Sequence, residues 1–247
     1  MCIHNGGGRS NLLTPFYFIM EKNICIVHFN TPELTRATIQ SIWKNSPGCN
    51  ITVFDNSTDK PFVPIDGVTV IDNTKGQIID FEEFLSHYPN KTPTKNNWGS
   101  AKHCYTIQKL WDYFPDGFVL MDSDVLVKKD LSIFFDDAYA YAGEVYFNRN
   151  RIDKRTPRLW PFLCWINVRM CRDNGVEYFD GKRNWKLYRD GNKWYDTGAS
   201  FLEDCVNKKL PGKKINISDY IVHFGRASVI RNGEWGEWLK QYSYLYE

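Results

Sequence analysis

The sequence predicts an α/β domain built on a doubly wound, mostly parallel sheet with a smaller mixed sheet beside it. Two observations carry that prediction. In the first half, short and nearly unbroken apolar runs are joined by a helical pattern in β-α-β order, and an acidic triplet, Asp122-Ser123-Asp124, follows directly on the fourth apolar run. Strands of a parallel sheet are covered on both faces, so they read as continuous apolar runs rather than alternating ones.

The first strand is Ile24-Cys25-Ile26-Val27-His28-Phe29. Asn30-Thr31-Pro32-Glu33 then supplies a cap residue, a proline suited to a first helical turn and an acid suited to a helix N-terminus. Leu34, Ala37, Thr38, Ile39 and Ile42 continue at near-helical spacing to about Lys44, and Ser46-Pro47-Gly48 ends the helix. Ile51 to Phe54 and Val68 to Ile71 are the second and third strands. Phe81, Phe84 and Leu85 suggest a short helix, and Ser100 to Phe114 a firm one with Cys104, Ile107, Trp111 and Phe114 on one stripe. Phe118 to Met121 is the fourth strand. Beyond Leu131 the chain is rich in Tyr, Phe and Trp with many turns, until a helix at Ala199–Lys209 and a last short strand within Tyr220 to Gly225. Residues 23–130 and 131–247 are read as two halves of one domain. Residues 1–22 are read as a disordered leader or as sequence upstream of a start at Met20.

A chain of 247 residues can bury a sizeable core, and 43% hydrophobic with 24% charged residues is an ordinary globular balance. A net charge of +2 is too small to point to nucleic acid. The apolar stretch Leu12 to Met20, interrupted by Thr14 and Pro15, is too short to span a bilayer. The expectation is a cytoplasmic protein without an integral membrane segment, with room for peripheral contact at the inner face of the membrane. The seven cysteines form no CxxC pair and are read as reduced, mostly buried residues.

The acidic triplet carries the chemistry. Two carboxylates, two residues apart at a strand's C-terminal end, can face one point when the backbone kinks there. Hard oxygen ligands of that kind suit Mg²⁺ or Mn²⁺ and, through it, a diphosphate. The carboxyl edge of an open α/β sheet is also where ligands bind. A solvated acidic turn is the plain alternative.

Four segments resemble the GT-A glycosyltransferases, most closely the family 2 type. They are Ile24-Cys25-Ile26-Val27-His28-Phe29-Asn30-Thr31, Val53-Phe54-Asp55-Asn56-Ser57-Thr58-Asp59, Asn97-Trp98-Gly99-Ser100-Ala101-Lys102-His103 and Met121-Asp122-Ser123-Asp124-Val125. They occur in order over roughly residues 23 to 130. The resemblance implies a nucleotide-sugar enzyme, most readily of a UDP-sugar, acting on a glycan or lipid-linked acceptor in cell-surface polysaccharide synthesis. It implies that Phe29, Asn30, Thr31, Asp55 and Asn56 cradle the nucleoside. Asn97, Gly99 and Ser100 are read at a helix N-terminus that favours the diphosphate. Ser123 lies within the donor site, and Lys102 or His103 adds charge there, with plain surface solvation an equal reading for Lys102. It further implies a third metal ligand, His223 of Tyr220-Ile221-Val222-His223-Phe224-Gly225, beside Asp122 and Asp124; a structural histidine is the alternative.

An inverting transferase needs a carboxylate to deprotonate the acceptor hydroxyl. Asp196, which precedes the late helix, is the first choice, with Glu203 and Asp204 as alternatives and a simple helix cap as the competing role of Asp196. Helical phase puts Glu203 and Asp204 toward the flanks of that helix. Trp160 to Trp165, with Trp185 and Trp194, is read as core with some acceptor-side rings. A degenerate fold that only binds a nucleotide or glycan, and a sugar nucleotidyltransferase, are the competing functions. The latter lacks a Gly-rich basic loop at His28-Phe29-Asn30-Thr31-Pro32.

Overall fold

The computed structural model describes residues 21–83, 95–147, 156–183, 195–225 and 235–247, with residues 95–101 described through their backbone alone. The leader up to residue 20, Phe84, Leu85, Trp185 and Trp194 lie outside the described residues.

The elements run β1 (Asn23–His28), α1 (Pro32–Asn45), β2 (Asn50–Asp55), β3 (Val68–Asp72), α2 (Lys95–Tyr113), β4 (Phe118–Asp122), β5 (Val125–Val127), β6 (Tyr141–Tyr146), β7 (Arg158–Ile166), α3 (Val168–Asp173), α4 (Ala199–Asn207), β8 (Gly212–Lys214), β9 (Ile221–His223) and α5 (Trp235–Gln241). A seven-stranded sheet takes the order β3-β2-β1-β4-β7-β6-β8, and β5 with β9 forms a separate two-stranded sheet. The pairs from β3 to β4 are parallel, as is β6 with β8, while β7 is antiparallel to both β4 and β6.

Side-chain alternation along the central strands divides the core into two layers. Cys25, Phe54, Phe118 and Leu120 face α2 and α4 with Cys104, Ile107, Trp111 and Phe201. Ile24, Ile26, Val53, Val119 and Met121 face the other way, onto Ile39 and Ile42 of α1. Both faces being covered is what makes these strands read as unbroken apolar runs. The six described cysteines are free thiols, and all but Cys49 are buried. Among the described residues, no helix is long and apolar enough to cross a membrane.

Two features depart from the sequence expectation. Helix α2 starts at Lys95, five residues ahead of Ser100, and its polar opening carries no apolar stripe to mark that start. Gly99 and Ser100 therefore lie inside the helix, where their N–H groups bond within it rather than standing free for an anion. Lys102 and His103 likewise lie well beyond the first turn. In β7, the pairing jumps from Gly143↔Cys164 to Val145↔Leu159, so Glu144 alone opposes Trp160 to Leu163. Pro161, which cannot donate to a ladder, sits in this bulge. Trp160 and Phe162 thereby join the layer that also holds Leu163 and Trp165.

Candidate active site

Parallel pairing of β2, β1 and β4 puts their C-terminal ends on one edge: Asp55 is in register with His28, and Asp122 with Val27. Chain turns at that edge are held by short polar side chains. The Thr31 hydroxyl meets that of Ser123 at 3.1 Å, and the Thr38 hydroxyl donates to the Ser123 carbonyl at 3.0 Å. The two contacts fasten the acidic turn to the residue before α1 and to its second turn, so Ser123 acts here as an anchor of the turn. Strand β5 leaves that turn and pairs with β9 so that Val125 faces His223, and Phe224 N–H donates to the Asp124 carbonyl at 3.0 Å. A strand almost one hundred residues downstream is thus what returns His223 to Asp124.

The result is a group in which Asp122, Asp124 and His223 each offer one ligand atom, all within 4.8 Å of one another. His223 Nε2 lies 3.2 Å from Asp124 Oδ1. Burial, then the neighbouring Asp124 charge, pushes the Asp122 carboxyl up to about 7, against the opposing pull of His223 and Arg158. Burial pulls the His223 imidazole down, but its hydrogen bond to Asp124 and the two carboxylate charges raise it overall. Two carboxylates crowded into one partly desolvated place are stabilised by a cation, and two hard oxygens with an imidazole fit a divalent ion such as Mn²⁺ or Mg²⁺.

His103 approaches Asp122, with Nε2 3.4 Å from Oδ1, but without hydrogen-bond geometry, and among the described residues this buried nitrogen has no hydrogen-bond partner. Burial lowers its pKa to about 4, so it brings a neutral imidazole where sequence reasoning expected charge. Lys102 lies over the Phe81 ring, 4.7 Å from its centre. The side chains of Asn97 and Gly99's neighbours Trp98 and Ser100 lie outside the described residues.

The nucleoside-side residues form a built turn. Asn30, at φ 55°, accepts through Oδ1 from the amides of Thr58, Asp59 and Lys60 at 3.1, 3.0 and 2.9 Å. Asp55 is 2% exposed, and its oxygens accept from Ser57 N at 2.8 Å and Phe62 N at 2.7 Å. Asn56 is also buried, donating to Thr106 Oγ1 at 2.8 Å and accepting from Asn73 Nδ2 at 2.9 Å. Phe29 is half-buried at the end of β1. Thr31 is buried.

On the opposite side, Arg158 donates to Asp196 Oδ2 at 2.5 Å, and Thr197 N donates to Asp196 Oδ1 at 2.8 Å. The charge of Arg158 reaches Asp122, which ties this pair to the carboxylate group. Glu203 and Asp204 point elsewhere: both accept from Arg183, at 3.1 and 2.8 Å, and Arg183 also reaches Asp180. Sequence reasoning missed Arg158 and Phe162. The one cation of an aromatic strand, at its first position, was the available signal for Arg158. For Phe162, whose ring lies 4.0 Å from that of His223, no local signal exists.

No protein-family model and no curated protein matches the sequence. Solved structures do. Mouse xyloside xylosyltransferase 1, in its apo form, is 9% identical, with 81% of this chain matched to 86% of that chain at a TM-score of 0.52. The chain has the GT-A glycosyltransferase fold. Galactosyltransferase LgtC, solved with donor and acceptor sugar analogues, is 13% identical over 79% of this chain and 73% of that chain, at a TM-score of 0.48. The glycosyltransferase GlyE of Streptococcus pneumoniae TIGR4 is 11% identical over 91% of this chain, which spans only 50% of GlyE, at a TM-score of 0.45. At these identities the likeness is one of fold, and it does not single out family 2.

Proposed function

We propose that the chain is a metal-dependent glycosyltransferase that moves a sugar from a nucleoside diphosphate, most readily UDP, to a glycan or lipid-linked acceptor. One observation carries this reading: Asp122, Asp124 and His223 converge at the carboxyl edge of a GT-A sheet, with ligand atoms within 4.8 Å. They would hold Mn²⁺ or Mg²⁺. When bound, the ion offsets the charge that builds on the leaving diphosphate.

The rest is work for the chain's own residues. The turn organised by Asn30 and Asp55, with Phe29, Thr31 and Asn56, shapes the nucleoside end. Neutral His103 borders Asp122. Asp196 receives the acceptor's proton in an inverting displacement, with Arg158 fixing its orientation. Cell-surface polysaccharide synthesis, on the cytoplasmic side and in peripheral contact with the membrane, is the setting we propose.

Donor hydrolysis with UDP-sugars and GDP-mannose, with and without Mn²⁺, tests the reading. Activity should require the ion and vanish in Asp124→Ala; ion-independent hydrolysis, or an unchanged Asp124→Ala enzyme, would sink it. Asp196→Asn should lose transfer while Glu203→Gln and Asp204→Asn keep it. One observation favours a second reading, binding without catalysis: both oxygens of Asp196 are already engaged, by Arg158 and Thr197 N. Saturable UDP binding with no hydrolysis of any donor would select it.

A further inference from the structure

His223 has an unusual support for a residue placed to ligate a metal ion. Such histidines ordinarily donate their second ring nitrogen to a carboxylate or carbonyl, which fixes the ring plane. Among the described residues, His223 makes its one polar contact through Nε2, to Asp124, and Nδ1 has no hydrogen-bond partner. An aromatic ladder lies against the ring instead. The Phe162 ring centre is 4.0 Å from that of His223 at an interplanar angle of 31°. Trp160 follows at 4.7 Å from Phe162, and Tyr146 at 5.1 Å from Trp160 with planes only 19° apart. The ladder ends on the guanidinium of Arg158, 5.7 Å from the Tyr146 ring.

We propose that Phe162 is a positioning residue for His223, holding the imidazole plane so that Nε2 faces Asp124. The second torsion of histidine is broad, so an imidazole without a hydrogen bond at Nδ1 turns freely unless something packs against its face. The bulge at Pro161 supplies that something by bringing Phe162 to the β9 side. Trp160 and Tyr146 back Phe162 in turn and keep it from rotating away. This inference rests on the reading of Asp122, Asp124 and His223 as metal ligands.

The test is Mn²⁺ binding to the full chain, followed by loss of the free-ion signal in electron paramagnetic resonance, without any donor sugar. Removing a hydrogen-bonded support costs roughly ten- to a hundredfold in metal affinity, and the lower end of that range is the scale taken for the ring. We expect Phe162→Leu, which keeps apolar bulk but not the ring, to weaken Mn²⁺ at least about tenfold. Phe162→Tyr, which keeps the ring, should bind as the wild type does, and both should melt with the wild type in EDTA. Wild-type affinity in Phe162→Leu, with binding lost in His223→Ala, overturns the positioning role and leaves the metal site standing. Equal loss in the Leu and Tyr variants also overturns it, since the ring is then not what matters. No saturable Mn²⁺ binding by the wild type, or unchanged binding in His223→Ala, overturns the metal site itself.

Discussion

Replacing Asp122 with Asn should stabilise the metal-free protein, and only above a certain pH. Asp122 is half-buried beside Asp124, and that desolvation with the neighbouring charge lifts its carboxyl from 3.8 to about 7. The folded protein therefore keeps a proton that the unfolded chain releases. Where the native state binds more protons, stability falls as pH rises, so the cost of Asp122 grows from about pH 4 to about pH 7 and is complete above that. A rise from 3.8 to about 7 corresponds to about 4 kcal/mol at ~1.36 kcal/mol per pH unit. The side chain is 23% exposed, so water screens part of this, and about 2–3 kcal/mol is the better expectation. For a chain of this length that is about 5–10 °C in Tm.

The assay is thermal melting in EDTA at a series of pH values. Asp122→Asn, which keeps the shape and removes the charge, should melt well above the wild type at pH 8 and close to it at pH 4. His223 tilts the curve the same way. Its pKa is raised, so the stability it adds is full at low pH and is lost as pH climbs through its folded value, less so in the variant, which lacks the Asp122 charge. Mn²⁺ should reverse the order, stabilising the wild type by mass action and the variant far less. An Asp122→Asn protein that melts at or below the wild type at pH 8 in EDTA, or a difference independent of pH, refutes the electrostatic account of the site.

Three further outcomes follow from the site's supports. Gly198 opens α4 at φ 78°, and a Cβ there would overlap the Leu159 carbonyl oxygen, so Gly198→Ala should cost roughly 2–4 kcal/mol in urea denaturation. An unchanged midpoint would mean that the start of α4 is not held as described. Asn30→Ala removes the acceptor of three amides and should cost about 1–3 kcal/mol, while Asn30→Gly should recover about 1 kcal/mol of it by relieving the positive φ. Equal stability of the two variants would show that φ carries no strain. Arg183→Ala leaves Asp180, Glu203 and Asp204 facing one another without their cation and should cost about 1–2 kcal/mol, less in high salt. A loss that ignores salt would point to packing rather than charge.

What could be read from the sequence tracks how local its physical cause is. Strands β1, β2 and β4 announce themselves because two-sided burial forces nearly continuous apolar runs, and Asp122 and Asp124 are recognisable because they follow one of those runs. His223 also ends a short apolar strand, although its meeting with Asp124 depends on β5 pairing with β9. The opposite wall has no such signature. Strands β6 and β7 pair antiparallel through a bulge at Pro161, which breaks the alternation that would have marked them. Arg158 and Asp196 meet across 38 residues, and neither stands in a pattern that forecasts the other. Asp55 shows a subtler limit. Sequence marks it as a carboxylate at a strand end facing ligand, yet its oxygens hold the Ser57 and Phe62 amides. A carboxylate at a sheet edge can organise the loop that receives a ligand as readily as it can receive one, and only the location of the nearest unpaired amides decides between them. The same reasoning applies to Asp196, held by Arg158 and Thr197 N. The acids at the site are therefore divided by geometry: Asp122 and Asp124 are left crowded, whereas the oxygens of Asp55 and Asp196 are taken up by donors. That division, rather than the number of acids, is what makes one pair a place for a cation.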